Sequence, residues 1–382
     1  MKNQKRILFI NQDSGYLTID IINSFVDEGY TCSLITGRLV QRNIPLYDSV
    51  KVKRIRKYNR SSAFKRLITW SLAFIQILFL VIFRHRKDIL FIISNPPFAT
   101  FLPLLVKNPF YLLIFDIYPD ALTELGYMPE NSKIIKWWQK ANIRVFRKTN
   151  CIFTISEGMK TVLQKYTVPE QIIAVNLWTD NTFFKPVHPD DNPFIKKHHL
   201  GGKFVVMYSG NLGLAGDIEV LLDVAARIRN DKIIFVIIGE GAKRKMLVEK
   251  VKDLHLENVI ILPWQPAAEI PNSFAAASLS VISLGSKASK LAVPSKLFNF
   301  LSAGTPLLCI SLHGSEIETL VNYYQCGKNF DPEDIEGMEN FILQMNDNKK
   351  LQAQMRINSA KASEDFTISN VKKFVEVLNH ES

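Results

Sequence analysis

The chain has 382 residues, enough for two domains that each bury a core of their own. With 47% hydrophobic and 22% charged residues, no low-complexity tract and no short-period repeat, it is neither a disordered chain nor a solenoid. The net charge of +11 is uneven: residues 1–183 hold 25 Lys/Arg against 13 Asp/Glu, residues 184–382 hold 22 against 23, so the first half alone asks for an anionic partner, a phospholipid surface or a nucleic acid.

From Met1 the sequence runs through charged residues straight into an apolar stretch, without the apolar core and cleavage region of a signal peptide, so the expected location is the cytoplasm. Cys32, Cys151, Cys309 and Cys326 are scattered with no CxxC pair, which fits buried thiols in a reducing compartment rather than a zinc site or a disulfide framework. Short, nearly continuous apolar runs at Arg6–Asn11, Thr31–Thr36, Asp88–Ser94, Tyr111–Asp116 and Cys151–Ser156 predict strands buried on both faces. Helical segments lie between them, and that alternation specifies a doubly wound parallel sheet over residues 1–183.

Within this half, the window Lys51–Lys87 contains eleven Lys/Arg and no Asp/Glu, and its interior, Leu67–Phe83, is apolar except for Thr69, Ser71 and Gln76. Seventeen residues are short for a bilayer span, and the segment falls between two strands of one sheet, which leaves a core helix or a helix inserted in a lipid surface. Lys133, Lys136, Lys140, Arg144 and Arg147 recur every three or four residues and form one helical stripe beside Trp137 and Trp138, a combination suited to anionic headgroups or, more plainly, to a solvated helix face. No nucleic-acid-binding module is visible, so lipid is the favoured partner.

Residues 184–202 turn polar, with Pro186, Pro189, Pro193 and the run Lys196-Lys197-His198-His199, and read as an interdomain linker. The alternation restarts at Lys203–Ser209, Lys232–Gly239, Val259–Pro263, Leu279–Ser283 and Pro306–Ser311, a second domain of the same class over residues 203–362. A final helix, residues 363–382, is expected to begin at a Ser363-Glu364-Asp365 cap and to bury Phe366, Val371, Phe374, Val375 and Leu378.

Three loops rich in small residues follow predicted strands: Asn11–Gly15, Ser209–Gly213 and Gly239-Glu240-Gly241. In open α/β sheets ligands bind at that edge, where glycine admits a phosphate close to the backbone, although each loop taken singly also reads as a tight turn. Pro294 can open a helix with Ser295 and Lys296 in its first turn, where a lysine opposes the helix dipole unless it meets an anion such as a diphosphate or reaches out to solvent. Asp116, at the end of a predicted strand before Ile117-Tyr118-Pro119-Asp120, is placed either to hold a hydroxyl proton or to cap the next turn.

Taken in order, Ser94-Asn95-Pro96-Pro97, Asp116-Ile117-Tyr118-Pro119-Asp120, Ser156-Glu157-Gly158-Met159, Asn176-Leu177-Trp178-Thr179-Asp180, Ser209-Gly210-Asn211 and Pro294-Ser295-Lys296 resemble the family 4 nucleotide-sugar glycosyltransferases of the GT-B fold, in the branch that builds bacterial O-antigen, capsule and exopolysaccharide units. The resemblance covers nearly the whole chain. It implies two Rossmann-like domains facing a cleft and no catalytic metal or other cofactor. The UDP- or GDP-sugar donor would be held mainly by the second domain, with a saccharide on a polyprenyl diphosphate at the first. It implies a terminal helix that returns to the first domain; with the basic segments above, the expected location is cytoplasmic, peripheral to the inner face of the cell membrane. By motif position, Gly15, Gly210, Asn211 and Lys296 fall on the donor side and Asp116 on the acceptor side; the loop and helix readings add Gly239, Glu240, Gly241, Ser295 and Asn299 to the expected donor site, and Asp116 and Lys296 are expected to carry the chemistry.

The family's paired glutamates fall on Leu291 and Asn299, Phe115 replaces a frequent His, and the loop after Ser209 lacks an Arg/Lys pair, leaving Lys287 and Lys290 as helpers of Lys296. These departures keep two other readings open, a nucleotide-sugar 2-epimerase of the same fold and a non-catalytic membrane scaffold that binds a sugar nucleotide.

Overall fold

The computed structural model describes residues 5–42, 44–59, 61–124, 126–213, 216–285 and 293–380. Lys287, Lys290 and Leu291 lie outside the described residues. Two compact units emerge, one running to Asn176 and resuming at Ile368, the other spanning Leu177–Thr367.

In chain order the first unit contains β1 (Arg6–Ile10), β2 (Asp13–Ser14), α1 (Tyr16–Asp27), β3 (Thr31–Thr36), β4 (Arg38–Leu39), β5 (Lys51–Arg54) and α2 (Ala63–Arg84). It continues through β6 (Ile89–Ile93), β7 (Phe110–Ile114), α3 (Asp120–Glu124), α4 (Lys133–Phe146), β8 (Ile152–Thr154), α5 (Glu157–Leu163) and β9 (Ile172–Ala174). Seven strands form one parallel sheet in the order β5-β3-β1-β6-β7-β8-β9, while β2 and β4 pair separately. The inner strands are buried because their runs are apolar on both faces: Leu8, Phe9, Ile10, Leu90, Phe91 and Ile92 are all inaccessible.

In the second unit, α6 (Pro193–Lys197) precedes β10 (Phe204–Ser209), α7 (Val220–Arg227), β11 (Ile233–Ile238), α8 (Arg244–Asp253), β12 (Val259–Leu262), α9 (Ile270–Ala275) and β13 (Leu279–Ser283). It closes with α10 (Lys296–Ser302), β14 (Leu307–Ile310), α11 (Glu316–Tyr324), β15 (Gly327–Phe330), α12 (Ile335–Asp347) and α13 (Lys349–Ser363). Its six strands are parallel in the order β12-β11-β10-β13-β14-β15. Both sheets reverse direction beside their first strand, at β1/β6 and at β10/β13, and such a reversal leaves a crevice at the carboxyl edge. All four cysteines are buried free thiols.

Three expectations need correction. Residues 184–202 are not a free linker: Phe184 is buried and stacks on Phe274, Phe194 is buried among Val205 and Met207, and Asn192 caps α6 while donating to the Asn272 carbonyl. Prolines and charges around these two phenylalanines mask what they bury. Ser363 closes α13 and Glu364 is its C-cap, so the Ser-Glu-Asp sequence ends one helix instead of starting the next. The terminal helix α14 (Lys372–His380) belongs to the first unit, where Phe374 packs 4.8 Å from the Phe153 ring and 6.0 Å from that of Phe91, and Asn379 accepts a bond from the Tyr30 hydroxyl. Finally, Trp138 is 6% exposed, stacked on Tyr118 and packed against the tilted rings of Phe98 and Phe101, so it cannot face lipid, whereas Trp137 is 59% exposed.

Candidate active site

Because β10 and β13 flank the reversal in the second sheet, the segments leaving them define its crevice. The exit of β10 is locked to the exit of β11. Gly210 donates to the Ile238 carbonyl at 2.8 Å, Leu212 to the Glu240 carbonyl at 2.9 Å, and Lys243 to the Leu212 carbonyl at 2.8 Å. A Cβ at Gly239 would stand 1.9 Å from the Gly210 oxygen, and one at Gly241 2.4 Å from the Leu212 carbonyl; both residues also have positive φ. These two glycines are therefore required by the meeting of two backbones. The consequence for the site is a rigid shelf that leaves Asn211 and Glu240 exposed.

Lys296 enters from the other side of the reversal, at the first position of α10, with exposed Ser295 before it. Its Nζ lies 4.9 Å from the centre of the Trp264 ring, which follows β12 at the same carboxyl edge. Among the described residues it has no carboxylate partner, and burial lowers its pKa to about 8. A desolvated ammonium supported by one aromatic face is short of negative charge, which an anionic ligand would supply. Trp264 was beyond sequence reading because the pairing is tertiary; no local pattern announces it. By contrast Lys243 is committed, bonded to both oxygens of Glu219 at 2.7 Å and to the Gly216 carbonyl. Asn299 is buried within α10 and its Oδ1 accepts from Thr179 at 2.5 Å, a bond internal to the unit.

In the first unit the crevice at β1/β6 is framed by Asn11–Gly15 and by Ser94. Gly15 caps α1, and a Cβ there would meet nothing within 4 Å, so that position leaves room rather than relieving a clash. Ser94 Oγ accepts from the backbone N–H groups of Phe115 at 3.0 Å and Asp116 at 3.3 Å, which holds the exit of β7 and leaves Asp116 exposed. Asp120 goes elsewhere. It is buried, ion-paired to Lys165 and bonded by the Tyr166 hydroxyl, a structural post. Ser156 likewise caps α5 through the Met159 N–H. Among the described residues no group of three or more His, Cys, Asp or Glu side chains is placed to hold a metal ion.

α2 runs 22 residues and shows two apolar faces. Trp70, Ala73, Ile77 and Val81 pack inward, as a core helix requires; Phe64 (72%), Leu72, Ile75, Phe79 (62%) and Phe83 lie exposed on the other side. The inward face bears out the core-helix reading, and the outward apolar face is exposed. On α4, Lys133, Lys136, Lys140 and Arg144 are all exposed, beside Trp137.

Residues 190–362 match the family described as glycosyl transferases group 1. The probable glycosyltransferase WbjE of Pseudomonas aeruginosa is 27% identical over 260 residues, 65% of this chain and 64% of that protein. WcaI of Escherichia coli K12, named for colanic acid biosynthesis as a glycosyl transferase, is 26% identical over 156 residues, 40% of this chain. The chain thus spans less than two thirds of the length of either relative, 64% and 38% respectively. Among solved structures, Anabaena Alr3699/HepE in complex with UDP aligns with a TM-score of 0.74 at 16% identity, over 98% of this chain and 100% of that one. The fold is GT-B. In this GT-B chain the expected doubly wound sheets are both present, and the matched family region contains the shelf, Trp264 and Lys296.

Proposed function

We propose that this chain is a glycosyltransferase that moves a sugar from a UDP- or GDP-sugar to a saccharide on a polyprenyl diphosphate, in the synthesis of a bacterial surface polysaccharide at the inner face of the membrane. The observation that carries this reading is Lys296, a desolvated amine without a carboxylate partner among the described residues, standing at the reversal of a sheet whose sequence matches glycosyl transferases. Departure of a nucleoside diphosphate places charge on phosphate oxygens, and a fixed cation in a poorly solvated pocket stabilises that charge more in the transition state than before it. The shelf of Gly210, Asn211, Glu240 and Gly241 supports the donor from below. Asp116, exposed at the edge of the first sheet, takes or orients the acceptor proton.

A lipid acceptor and a membrane surface are favoured by α2. Its outer face is apolar along its length, Lys65, Arg66, Arg84, Arg86 and Lys87 flank it, and α4 adds a cationic stripe with an exposed indole. A nucleotide-sugar epimerase has no use for such a face. The deciding experiment supplies labelled UDP- and GDP-sugars with a synthetic prenyl-diphosphate saccharide and follows the lipid product by chromatography. Sugar on the lipid supports the reading; epimerised free donor, or tight donor binding with no transfer to any lipid acceptor, overturns it.

A further inference from the structure

α10, the helix that begins at Lys296, has seven residues and starts without a side-chain cap, because Ser295 stands before it in helical geometry and makes no cap bond. Two turns of helix do not hold their own position; it comes from what they pack against. Leu297 and Phe298 are buried. One turn after Lys296 comes Asn299, at the three-residue spacing that makes two side chains neighbours on a helix.

Asn299 is 6% exposed and Thr179 is inaccessible, and the Thr179 hydroxyl donates to Asn299 Oδ1 at 2.5 Å. The backbone N–H of Thr179 donates to the Phe366 carbonyl at 3.0 Å, and Thr179 pairs with Thr367 in an isolated bridge. Phe366 then returns to α10, its ring centre 4.5 Å from that of Phe298. Thr179, Asn299, Phe298 and Phe366 thus close a circuit. Thr179 and Phe366 belong to the segments by which the chain enters and leaves the second unit, Leu177–Thr367, so the helix bearing Lys296 is seated where those two segments meet. A separate tie holds the far end of α10, where Ser302 Oγ donates to the Phe184 carbonyl at 2.5 Å.

We infer that Thr179 and Asn299 are positioning residues for the donor: their bond seats the first turn of α10 so that Lys296 stands over Trp264, in place for a diphosphate. This rests on the reading of Lys296 as the cation that meets the donor. Asn299 serves the nucleotide through that lysine without touching it. A turn fixed beforehand by a buried bond has less freedom left to lose when the anion arrives, and that saving appears as affinity.

The test is a double-mutant cycle on UDP affinity, measured by calorimetry at pH 7. Thr179→Val keeps the branched shape and removes the hydroxyl; it should weaken UDP about tenfold in the parent but change it by no more than about twofold in a Lys296→Met background, since the bond acts through the lysine. Thr179→Ser, which restores the hydroxyl, should recover most of the loss. Asn299→Ala removes the acceptor instead of the donor and should give the same pattern, so the test survives if one variant fails to fold. Ser302→Ala loosens the other end of α10 and should lower the melting temperature while UDP binds as in the parent. Equal losses of UDP affinity in the parent and in the Lys296→Met background would mark a direct nucleotide contact or a general loosening of the unit, and would overturn the positioning role; so would parental affinity in Thr179→Val, or a loss in Ser302→Ala as large as in Thr179→Val. All three leave the donor reading of Lys296 standing. A Lys296→Met protein that binds UDP like the parent overturns that reading and the inference with it.

Discussion

At the scale of single residues, Lys296 is the most exposed to test. Its amine has given up solvent for Trp264, and its pKa of about 8 follows from that loss. An unfolded chain holds the proton up to the ordinary lysine value, so between about 8 and 10.5 the unfolded state binds more protons than the folded one. Below pH 8 the buried ammonium therefore costs stability, by at most on the order of 3 kcal/mol, and the cost fades as pH rises towards 10.5. Lys296→Met, which keeps the aliphatic stem, should make the free protein more stable at pH 7 in urea denaturation while lowering kcat by about 10²–10³-fold, the usual loss on removing one charge-stabilising group. A variant that transfers sugar at the parental rate would remove this lysine from the chemistry. The same amine sets a pH dependence: UDP affinity should be flat below pH 7 and fall about tenfold per unit above pH 8 as the amine loses its proton, and calorimetric titration across pH 6–10 would show it. Asp116 gives the companion case. Asp116→Asn should cut transfer by about 10²–10⁴-fold, the range of a lost proton acceptor, and leave UDP binding untouched; an equal loss of nucleotide affinity would argue against its place on the acceptor side.

At the scale of elements, α2 shows both what a sequence conveys and where it stops. The apolar run and its basic flanks were plain in the residues, yet which side chains turned inward depended on packing, and only the structure divides Trp70, Ala73, Ile77 and Val81 from Leu72, Ile75 and Phe79. The inner strands were legible for the same reason that they are buried, since continuous apolar runs leave few alternatives. Two of the edge strands were not: β5 consists of Lys51, Val52, Lys53 and Arg54, all exposed, and β15 reads Gly-Lys-Asn-Phe, so neither carries the signature of a buried strand. The glycines after β11 looked like phosphate contacts, whereas their nearest constraint is the loop after β10. Lys296 was found because proline and serine mark a helix start. The outer face of α2 then makes a direct prediction. Replacing Leu72, Ile75 and Phe79 with Glu, all on exposed positions, should release the protein from vesicles containing anionic lipid and leave its melting temperature within a few degrees of the parent; each carboxylate opposes both burial in lipid and the surface charge. Vesicle flotation that carries the triple variant as well as the parent would show that this face meets no membrane.

For the whole molecule, the notable feature is that one chain makes two cores, to which the proposed function gives different duties. The first unit is closed by a helix from the far end of the chain: Phe374 sits against Phe91 and Phe153, so the first and last segments share one hydrophobic core. The second unit builds its core from β10–β15 and the helices covering them, and it holds every residue assigned to the donor except Gly15. Nucleotide should therefore protect one body and not the other. Binding stabilises the folded state by RT ln(1 + [L]/Kd), about 2.7 kcal/mol at a hundredfold excess over Kd, and that gain belongs to the unit that makes the contacts. Phe374→Ala removes a fully buried ring from the first core, a change that typically costs about 3–5 kcal/mol. Scanning calorimetry of the parent should then resolve a transition that moves up with UDP. In Phe374→Ala a second transition should fall by several degrees while the UDP-sensitive one keeps both its position and its response. If the substitution and the nucleotide instead move a single transition together, the two cores unfold as one, and the division of labour between donor and acceptor units loses its thermodynamic basis.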